Sequence, residues 1–324
     1  MKVLHVAAGL PTIDRPYQQP FIKSQIDSLI EQGIDCGVFE INGYRSDLEY
    51  IKSIKKIRKI VLTENYDLIH SHYSYCGLAA YLAKTGRPLI LSLMGSDLLG
   101  RPDTRGKITI RGRLDKTISK FISKKVDHII VKSNNMIVML NTKVPVSIIP
   151  NGVDSNLFKP LDVDQTRKLL GFNQNDFIVL FLGNRNQPVK NFNLAKESFD
   201  LFKATIKNDS VIFVNPFGID KNSVIKFMSA ANVLLLTSFW EGSPNVVKEA
   251  MACNLPIIST DVGDVKEIVK GTEYCFITGH SEDEIATKLK IIYEKKERSN
   301  GRKNIEHLRD DLIAKKIIKI YENV

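Results

Sequence analysis

Short apolar runs alternate with amphipathic segments along nearly the whole chain. The runs are rich in Val, Ile and Leu, and each is followed by a polar turn and then by a pattern of helical period. Strands that are apolar on both faces and separated by helices are typical of parallel sheets covered by helices on both sides. The sequence therefore predicts an α/β fold built from doubly wound parallel sheets. The predicted strands are residues 1–6, 34–41, 67–72, 88–93, 128–131, 146–149, 177–182 and 231–236.

The length of the chain predicts two domains. A chain of 324 residues is long enough for two domains of about 150 residues each. The segment Pro150-Asn-Gly-Val-Asp154 and then Pro160 interrupt the periodic patterns near the middle, so we place the boundary near residue 160. Residues 311–321 carry apolar side chains at helical spacing and predict a final helix, with Ile313, Ala314, Ile317, Ile318 and Tyr321 on one face.

Two carboxylates, Glu241 and Glu249, flank a predicted junction between a strand and a helix. Residues 231–236 form the strand, residues 242–245 form the turn, and the helical pattern begins at Ser243 or Pro244. The free backbone N–H groups of such a turn face the carboxyl end of the strand and favour an anion, above all a phosphate. Because two bare anions would repel each other, acids beside a phosphate need a ligand that also carries hydroxyl groups.

Two cations follow another predicted strand in the second half of the chain. Arg185 and Lys190 lie in the turn between the strand at 177–182 and the amphipathic segment that begins near Phe192. Arginine binds phosphate oxygens as a bidentate fork and lysine as a point charge. An isolated basic residue in a loop is usually only solvated, so this pair gains its meaning from the acids downstream.

The stretch from Thr237 to Ile268 resembles the donor site of retaining GT-B glycosyltransferases of the group 1 type (family 4). In that family two Glu residues are separated by seven residues, and the second is followed by Ala-Met-Ala and then by a second Gly-rich turn. Here the two acids are Glu241 and Glu249, and the second turn contains Gly263. The resemblance implies two Rossmann-like domains that face a cleft. Residues 1–160 would bind the acceptor, residues 161–305 would bind the nucleotide sugar, and residues 306–324 would form a helix that crosses back to the first domain.

The resemblance also implies a role for each matching residue. Glu241 would contact the transferred sugar and act in catalysis, and Glu249 would accept hydrogen bonds from the ribose. The loop at 215–219 would meet the base. We expect no metal and no cofactor, with a UDP- or GDP-linked sugar as the co-substrate. The expected donor-binding residues are Arg185, Lys190, Gly242, Ser243, Pro244, Asn245, Val246, Glu249, Phe217 and Gly9.

The first half departs from the family at one position. Met94 stands where the family pattern Thr-x-His-Gly-x-Asp has a histidine, and a thioether cannot accept a proton. We therefore expect Asp97 and His72 to share the catalytic work with Glu241. His70 and His72 flank Ser71, and we expect them to point to opposite sides of their strand, although a structural role for each is equally open.

The charge of the chain is concentrated in its first half. Residues 1–160 carry 23 Lys and Arg against 14 Asp and Glu, whereas the remainder carries 23 against 22. Basic residues alternate with apolar ones between Arg101 and Lys125, a pattern that fits either a solvated helix face or docking on an anionic membrane. The family places its acceptor, a sugar or a lipid-linked sugar, in this domain, which favours the membrane. No motif for nucleic-acid binding is present, so we expect no nucleic-acid partner.

Composition and spacing exclude several other classes. No apolar run is long enough for a membrane helix or a signal peptide, which predicts a cytoplasmic protein, peripheral at the membrane if the basic region docks. The four cysteines have no paired spacing and are expected to be reduced core thiols. Asp162 and Asp164 resemble an Asp-x-Asp metal motif, but they precede a predicted helix and fit capping roles better.

Together these features predict a retaining, metal-independent glycosyltransferase that transfers a hexosyl or N-acetylhexosaminyl group in the synthesis of cell-surface polysaccharide or glycolipid. Two alternatives stay open. Met94 is compatible with a scaffold that binds nucleotide sugar but has lost transfer activity, and the GT-B fold is also used by sugar-nucleotide epimerases.

Overall fold

The chain forms two compact α/β units. The computed structural model describes residues 1–43 and 45–324. The first unit, called unit 1, contains Met1–Arg101, Ile108–Gly152 and Asp310–Val324. The second, called unit 2, contains Pro102–Lys107 and Val153–Arg309. The prediction of two parallel-sheet α/β domains is confirmed.

Unit 1 is built on a six-stranded sheet of order β2-β1-β3-β4-β5-β6 in which every pair is parallel. Each predicted strand of this half is present to within two residues at either end. The chain order reverses between β1 and β3. The elements are β1 (Lys2–Ala7), α1 (Pro20–Glu31), β2 (Asp35–Glu40), α2 (Leu48–Thr63), β3 (Leu68–His72), α3 (Ser74–Leu82), β4 (Leu89–Ser92), α4 (Ser96–Leu99), α5 (Ile110–Ile122), β5 (His128–Val131), α6 (Asn134–Ile137) and β6 (Val146–Ile148).

Unit 2 is built on a five-stranded parallel sheet of order β11-β10-β9-β7-β8, whose chain order reverses between β7 and β9. Its strands are almost wholly buried in the middle of the sheet, as expected when helices cover both faces. The elements are α7 (Val163–Leu170), β7 (Phe177–Leu180), α8 (Phe192–Ile206), β8 (Val211–Val214), α9 (Lys221–Ala230), β9 (Val233–Leu236), α10 (Asn245–Ala252), β10 (Ile257–Thr260), α11 (Val265–Ile268), β11 (Cys275–Thr278), α12 (Glu282–Lys295) and α13 (Gly301–Asn304).

The two units meet in sequence earlier than residue 160. The main segment of unit 2 begins at Val153. Residues after this point are bound by Arg302, whose guanidinium donates to the carbonyl oxygens of Ser155 at 2.6 Å and Phe158 at 2.7 Å. The segment up to Pro160 is therefore part of unit 2, a contact that sequence punctuation could not reveal.

The last helix, α14 (Asp310–Tyr321), belongs to unit 1 and packs on α1. Its buried face contains Ile313, Ala314, Ile317, Ile320 and Tyr321, so four of the five predicted positions are right. Ile318 is only partly buried, because it lies beside the stripe formed by the other four, whereas Ile320 lies within that stripe.

Three other expectations from the sequence concern thiols, a cap and membrane helices. All four cysteines are free, and Cys76 and Cys253 are buried, as predicted. Asp162 caps α7, since its carboxylate accepts a hydrogen bond from the backbone N–H of Gln165 at 2.8 Å. Among the described residues, every helix is either too short or too polar to cross a bilayer.

A buried histidine cluster ties α14 to the sheet of unit 1. His5, His70 and His72 have no solvent exposure. His5 Nδ1 lies 3.1 Å from His72 Nε2, and His70 Nδ1 lies 2.6 Å from the hydroxyl oxygen of Tyr321. The expectation that His70 and His72 point to opposite sides is wrong. Residues two apart in a strand share a face, and these two rings stack with centroids 4.4 Å apart.

Burial keeps the three imidazoles neutral. It lowers the pKa of His5 from 6.5 to about 3. It also lowers the pKa of His70 and of His72 well below the usual value, and the charge of Lys132 adds to the effect. An imidazole with a lowered pKa stabilises the fold above pH 6.5, and this contribution is lost as the pH falls, because the unfolded chain takes up the proton.

We therefore expect the protein to lose stability on mild acidification. Below pH 6.5 the free energy of unfolding should fall by about 1.4 kcal/mol per pH unit for each imidazole that is protonated only in the unfolded chain. Urea unfolding across a pH series measures the slope of the free energy of unfolding against pH. His5→Gln should reduce this slope by the contribution of one proton. A flat free energy of unfolding on acidification would contradict the prediction.

Candidate active site

The candidate site lies where the strand order of the unit 2 sheet reverses. Open α/β sheets bind ligands beyond the carboxyl ends of their strands at such a reversal, because the two connections leave on opposite faces and open a crevice. In unit 2 this point lies between β7 and β9. The loop after β7 contains Arg185 and Lys190, and the loop after β9 contains Glu241. Sequence patterns showed both loops but not that their strands are neighbours.

Hydrogen bonds join the two loops. The Thr237 hydroxyl donates to the carbonyl oxygens of Lys190 at 3.1 Å and Asn191 at 3.0 Å. The backbone N–H of Phe239 donates to the carbonyl oxygen of Val189 at 2.9 Å. The backbone on either side of the site is therefore fixed before any ligand binds.

Lys190 and Glu241 form an ion pair at this point. Lys190 Nζ lies 2.7 Å from Glu241 Oε1, and the Ser238 hydroxyl donates to the same oxygen at 2.7 Å. Both charged side chains are partly buried, 24% and 17% exposed. The two residues were assigned separate tasks from the sequence, and the structure brings them together. Ser238 was missed, although its place three residues before Glu241 was visible.

The turn after Glu241 leads directly into α10. Gly242, Ser243 and Pro244 are buried. Pro244 is the residue that precedes the helix, and Asn245 is its first residue, within a residue or two of the predicted start. Val246 and Glu249 are partly buried on the first turns of α10.

A second glycine turn packs against this one. Gly263 follows β10 and has a φ of +61°. A Cβ atom there would lie 2.4 Å from the carbonyl oxygen of Gly242, too close for any side chain. The backbones of the two turns are thus in direct contact, which explains the need for glycine at this position.

The remaining predicted donor residues lie around the same edge. Arg185 is exposed in the loop after β7. Asn215, after β8, donates from Nδ2 to the carbonyl oxygens of Phe181 at 2.8 Å and Gly183 at 3.0 Å and so fixes the loop. Phe217, two residues on, is 48% exposed.

Two backbone conformations mark the corresponding reversal in unit 1, between β1 and β3. Gly9, after β1, has a φ of +110°, and a Cβ atom there would overlap the Gln18 side chain. Tyr73, directly after β3, has a φ of +72°, and its N–H donates to the carbonyl oxygen of Ser92. A bulky residue at positive φ is rare and is found mostly at functional sites. Tyr73 was not predicted, since sequence gives no sign of backbone strain.

Asp97 is buried at the start of α4. Its Oδ1 accepts hydrogen bonds from the backbone N–H groups of Met94 at 3.1 Å and Gly95 at 3.0 Å. Burial raises the pKa of Asp97 to about 6, although the hydrogen bonds from the same N–H groups lower it. The carboxylate therefore both organises the turn and titrates close to neutrality. Met94 itself packs in an apolar cluster with Phe21 and Leu10 and provides no proton acceptor.

The structure does not favour His72 as a catalytic group. It is fully buried in the histidine cluster, and its lowered pKa keeps it neutral. Because the side chain has no exposed atom, an acceptor cannot reach it without rearrangement of the core.

The same three histidines are the candidate metal ligands of unit 1. Within residues 1–43 and 45–324, His5, His70 and His72 are the group whose ligand atoms lie within 4.8 Å of one another. Both ring nitrogens of His70 already bond Tyr321 and Ser92, and the charge of Lys132 acts on the rings. The residues fit a neutral hydrogen-bonded cluster better than a metal centre.

Two parallel-sheet α/β units, with sheets of six and five strands, match the GT-B fold. Family descriptions match both halves of the chain: "Glycosyltransferase Family 4" at residues 13–157 and "Glycosyl transferases group 1" at residues 168–295. The chain belongs to the group 1 glycosyltransferases, and the family resemblance read from the sequence is confirmed.

Individual relatives are distant. The chain is 22% identical over 303 residues to the N-acetyl-alpha-D-glucosaminyl L-malate synthase of Bacillus anthracis, covering 83% of this chain and 77% of that one. It is 24% identical over 262 residues to the Escherichia coli UDP-Gal:alpha-D-GlcNAc-diphosphoundecaprenol alpha-1,3-galactosyltransferase, covering 68% of this chain and 64% of the relative. This second match therefore spans less than two thirds of the relative's length.

A solved structure supports the fold. The sucrose-phosphate synthase of Thermosynechococcus elongatus superposes with a TM-score of 0.81 at 18% sequence identity, over 99% of this chain and 98% of that chain. At this identity the likeness shows that the folds agree, and it carries no information about the substrate.

Asp97 generates a prediction for unit 1. If its carboxylate accepts the proton of an acceptor hydroxyl, Asp97→Asn should lower kcat by roughly 10² to 10⁴ with little change in donor KM. The wild-type rate should also fall on acidification through pH 6, near the raised pKa. Steady-state kinetics across pH measure both effects.

The asparagine variant separates catalysis from folding. Its amide oxygen can still accept hydrogen bonds from the backbone N–H groups of Met94 and Gly95. A carboxylate with a raised pKa contributes fully to stability below pH 3.8, and this contribution is lost as the pH rises to about 6. The variant should thus be no less stable than the wild type at neutral pH. Full activity in a stable Asp97→Asn protein would show that Asp97 is only structural.

Proposed function

We propose that the protein transfers a sugar from a nucleoside-diphosphate sugar to an acceptor hydroxyl with retention of anomeric configuration. The observation that carries the proposal is the Lys190–Glu241 ion pair at the reversal of the unit 2 sheet. Under this proposal Lys190 would bind the leaving phosphate and Glu241 would contact the sugar, beside the buried turn that leads into α10.

The diphosphate would bind along the turn at residues 242–246. Backbone N–H groups at the start of α10 favour negative charge there. The Lys190 ammonium has three N–H donors, so its bond to Glu241 leaves capacity for a phosphate oxygen. The exposed Arg185 provides a second cation on the same loop. These groups stabilise the charge of the leaving nucleotide electrostatically, the task that a divalent ion performs in other transferases, and support transfer without a metal.

The rest of the donor would extend from this point. Glu249, one turn into α10, would accept hydrogen bonds from the ribose hydroxyls. Phe217 would stack on the base. Glu241, fixed by Lys190 and Ser238, would orient the sugar, and the developing positive charge on the sugar would be offset by the leaving phosphate. A UDP- or GDP-linked hexose or N-acetylhexosamine suits this arrangement. Of the two relatives named above, one is an N-acetyl-alpha-D-glucosaminyl L-malate synthase and the other a galactosyltransferase whose name includes UDP-Gal.

The acceptor would bind unit 1, and a lipid-linked acceptor fits its surface. Helix α5 exposes Ile110 by 86%, Leu114 by 48% and Phe121 by 49%, among basic residues such as Arg113 and Lys120. Exposed apolar side chains within a basic face are typical of helices that lie on anionic membranes. One relative acts on a diphosphoundecaprenol-linked sugar. We propose that the protein works at the inner membrane surface in polysaccharide or glycolipid synthesis.

A scaffold without transfer activity is the second candidate, favoured by the apolar packing of Met94. Release of nucleoside diphosphate that depends on an acceptor would show transfer and would exclude both the scaffold and an epimerase.

We expect the two glutamates to have different kinetic effects. Glu249→Ala should mainly raise donor KM, because ribose contacts are made in both the ground state and the transition state. Glu241→Ala should mainly lower kcat. Steady-state kinetics with a varied donor distinguish these outcomes, and wild-type kinetics in both variants would refute the assignment of the site.

Membrane docking gives a further expected outcome. Each basic residue near the lipid contributes about 1 kcal/mol, so binding to anionic liposomes should weaken with salt. It should also weaken when Ile110, Leu114 and Phe121 are changed to Ser. Replacement of four lysines by Gln should weaken liposome binding as well: Lys116, Lys120, Lys124 and Lys125.

The control removes the same charge from unit 2. Gln substitutions at Lys270, Lys290, Lys295 and Lys296 lower the net charge equally but leave α5 intact. Equal loss of liposome binding in both sets would point to overall charge instead of α5, and no binding by the wild type would leave α5 as a solvated face.

A further inference from the structure

A fully buried lysine lies behind the turn that leads into α10. Lys248 has no exposed surface, and its neighbours Val247, Ala250 and Met251 are equally buried. Its Nζ donates to the Ser243 hydroxyl at 3.0 Å. None of the functions assigned above uses this ammonium.

Such a lysine is costly to bury. A charged side chain in the interior loses its hydration, and lysine is almost never fully buried unless it is paired. An apolar side chain of the same length would fill the space at no such cost. The position therefore calls for a reason other than packing.

The charge of Lys248 acts on Asp264, in the second glycine turn. Burial raises the pKa of Asp264, whereas the nearby ammonium and a hydrogen bond from Ser243 lower it. Asp264 Oδ1 is buried without a hydrogen-bond partner among the described residues. Lys248, Ser243 and Asp264 thus form a charged network beneath the two glycine turns.

This network lies against the backbone that would cradle the diphosphate. Ser243 is itself part of the turn at residues 242–246. Gly263, which precedes Asp264, touches the Gly242 carbonyl group closely enough to exclude a side chain. A change in the network would therefore move the N–H groups of the turn.

We propose that Lys248 is a positioning residue for the donor diphosphate: from inside unit 2 its ammonium holds Ser243 and adds a fixed positive charge behind the phosphate-binding turn. This inference rests on the proposed function, because it concerns the same site. A charge in a region of low dielectric is screened little by water, so it favours a nearby dianion more than a surface lysine would.

The test compares ligands with and without phosphates. Calorimetry would measure binding of UDP, GDP, uridine and guanosine to the wild type and to Lys248→Met, which keeps an unbranched side chain but removes the charge. For the nucleoside diphosphate that the wild type binds, the variant should lose roughly tenfold to a hundredfold in affinity. Affinity for the matching nucleoside should stay within about twofold of the wild type, a change smaller than the loss of one hydrogen bond.

A double variant separates positioning from simple neutralisation of Asp264. In Lys248→Met the Asp264 carboxylate is left buried without its cation, which lowers stability. Lys248→Met with Asp264→Asn removes both charges and should restore the melting temperature, yet diphosphate affinity should remain low. Recovery of diphosphate affinity together with stability would overturn the proposal, since Lys248 would then serve only to pair Asp264.

Met251→Ala is the control for loss of packing. It perturbs the same buried face of α10 without touching Ser243, and it should weaken diphosphate and nucleoside binding alike or neither. A phosphate-specific loss in this control would count against Lys248. A wild type that binds neither UDP nor GDP would refute the proposed donor instead, whereas UDP or GDP binding left intact in Lys248→Met would refute only the role of Lys248.

Discussion

The ion pair between Lys190 and Glu241 is the contact around which the site of unit 2 is organised. It joins the loop after β7 to the loop after β9, and the bonds from Thr237 and Phe239 hold the same two loops at the backbone. An ion pair at the carboxyl edge of a sheet has a smaller desolvation cost than one in the core, because water still reaches it. It can therefore exchange partners when a ligand with its own charge binds.

The balance of charge around the turn follows from this arrangement. Glu241 is paired with Lys190, and the charge of the buried Lys248 acts on Asp264, so in the proposed donor complex neither carboxylate would oppose the diphosphate alone. In the proposed donor complex the backbone N–H groups at the start of α10 and the exposed Arg185 would then contact the diphosphate. Preorganised charge of this kind stabilises a leaving group without reorganisation during the reaction.

Several features of the fold and site were predictable because they are local. The strands, the turn after β9 and the start of α10 follow from apolar runs and turn residues within a short stretch. Other features depend on distant residues. The burial of Asp97 and the inclusion of residues 153–160 in unit 2 were not anticipated, because contacts with Ser119 and Arg302 decide them. The side of β3 taken by His72 was predicted incorrectly for a local reason, since residues two apart in a strand share a face.

By itself the sequence determined the α/β class, the family and the identity of the residues at each strand end, since periodicity and motif spacing are written along the chain. The tertiary structure alone decided which strand ends meet, and so which charges pair. Strand order places β7 beside β9, which brings Lys190 to Glu241, and it places β10 beside β9, which brings Gly263 against the carbonyl group of Gly242. These pairings depend on the neighbours of each strand in the sheet, a property that no local pattern contains.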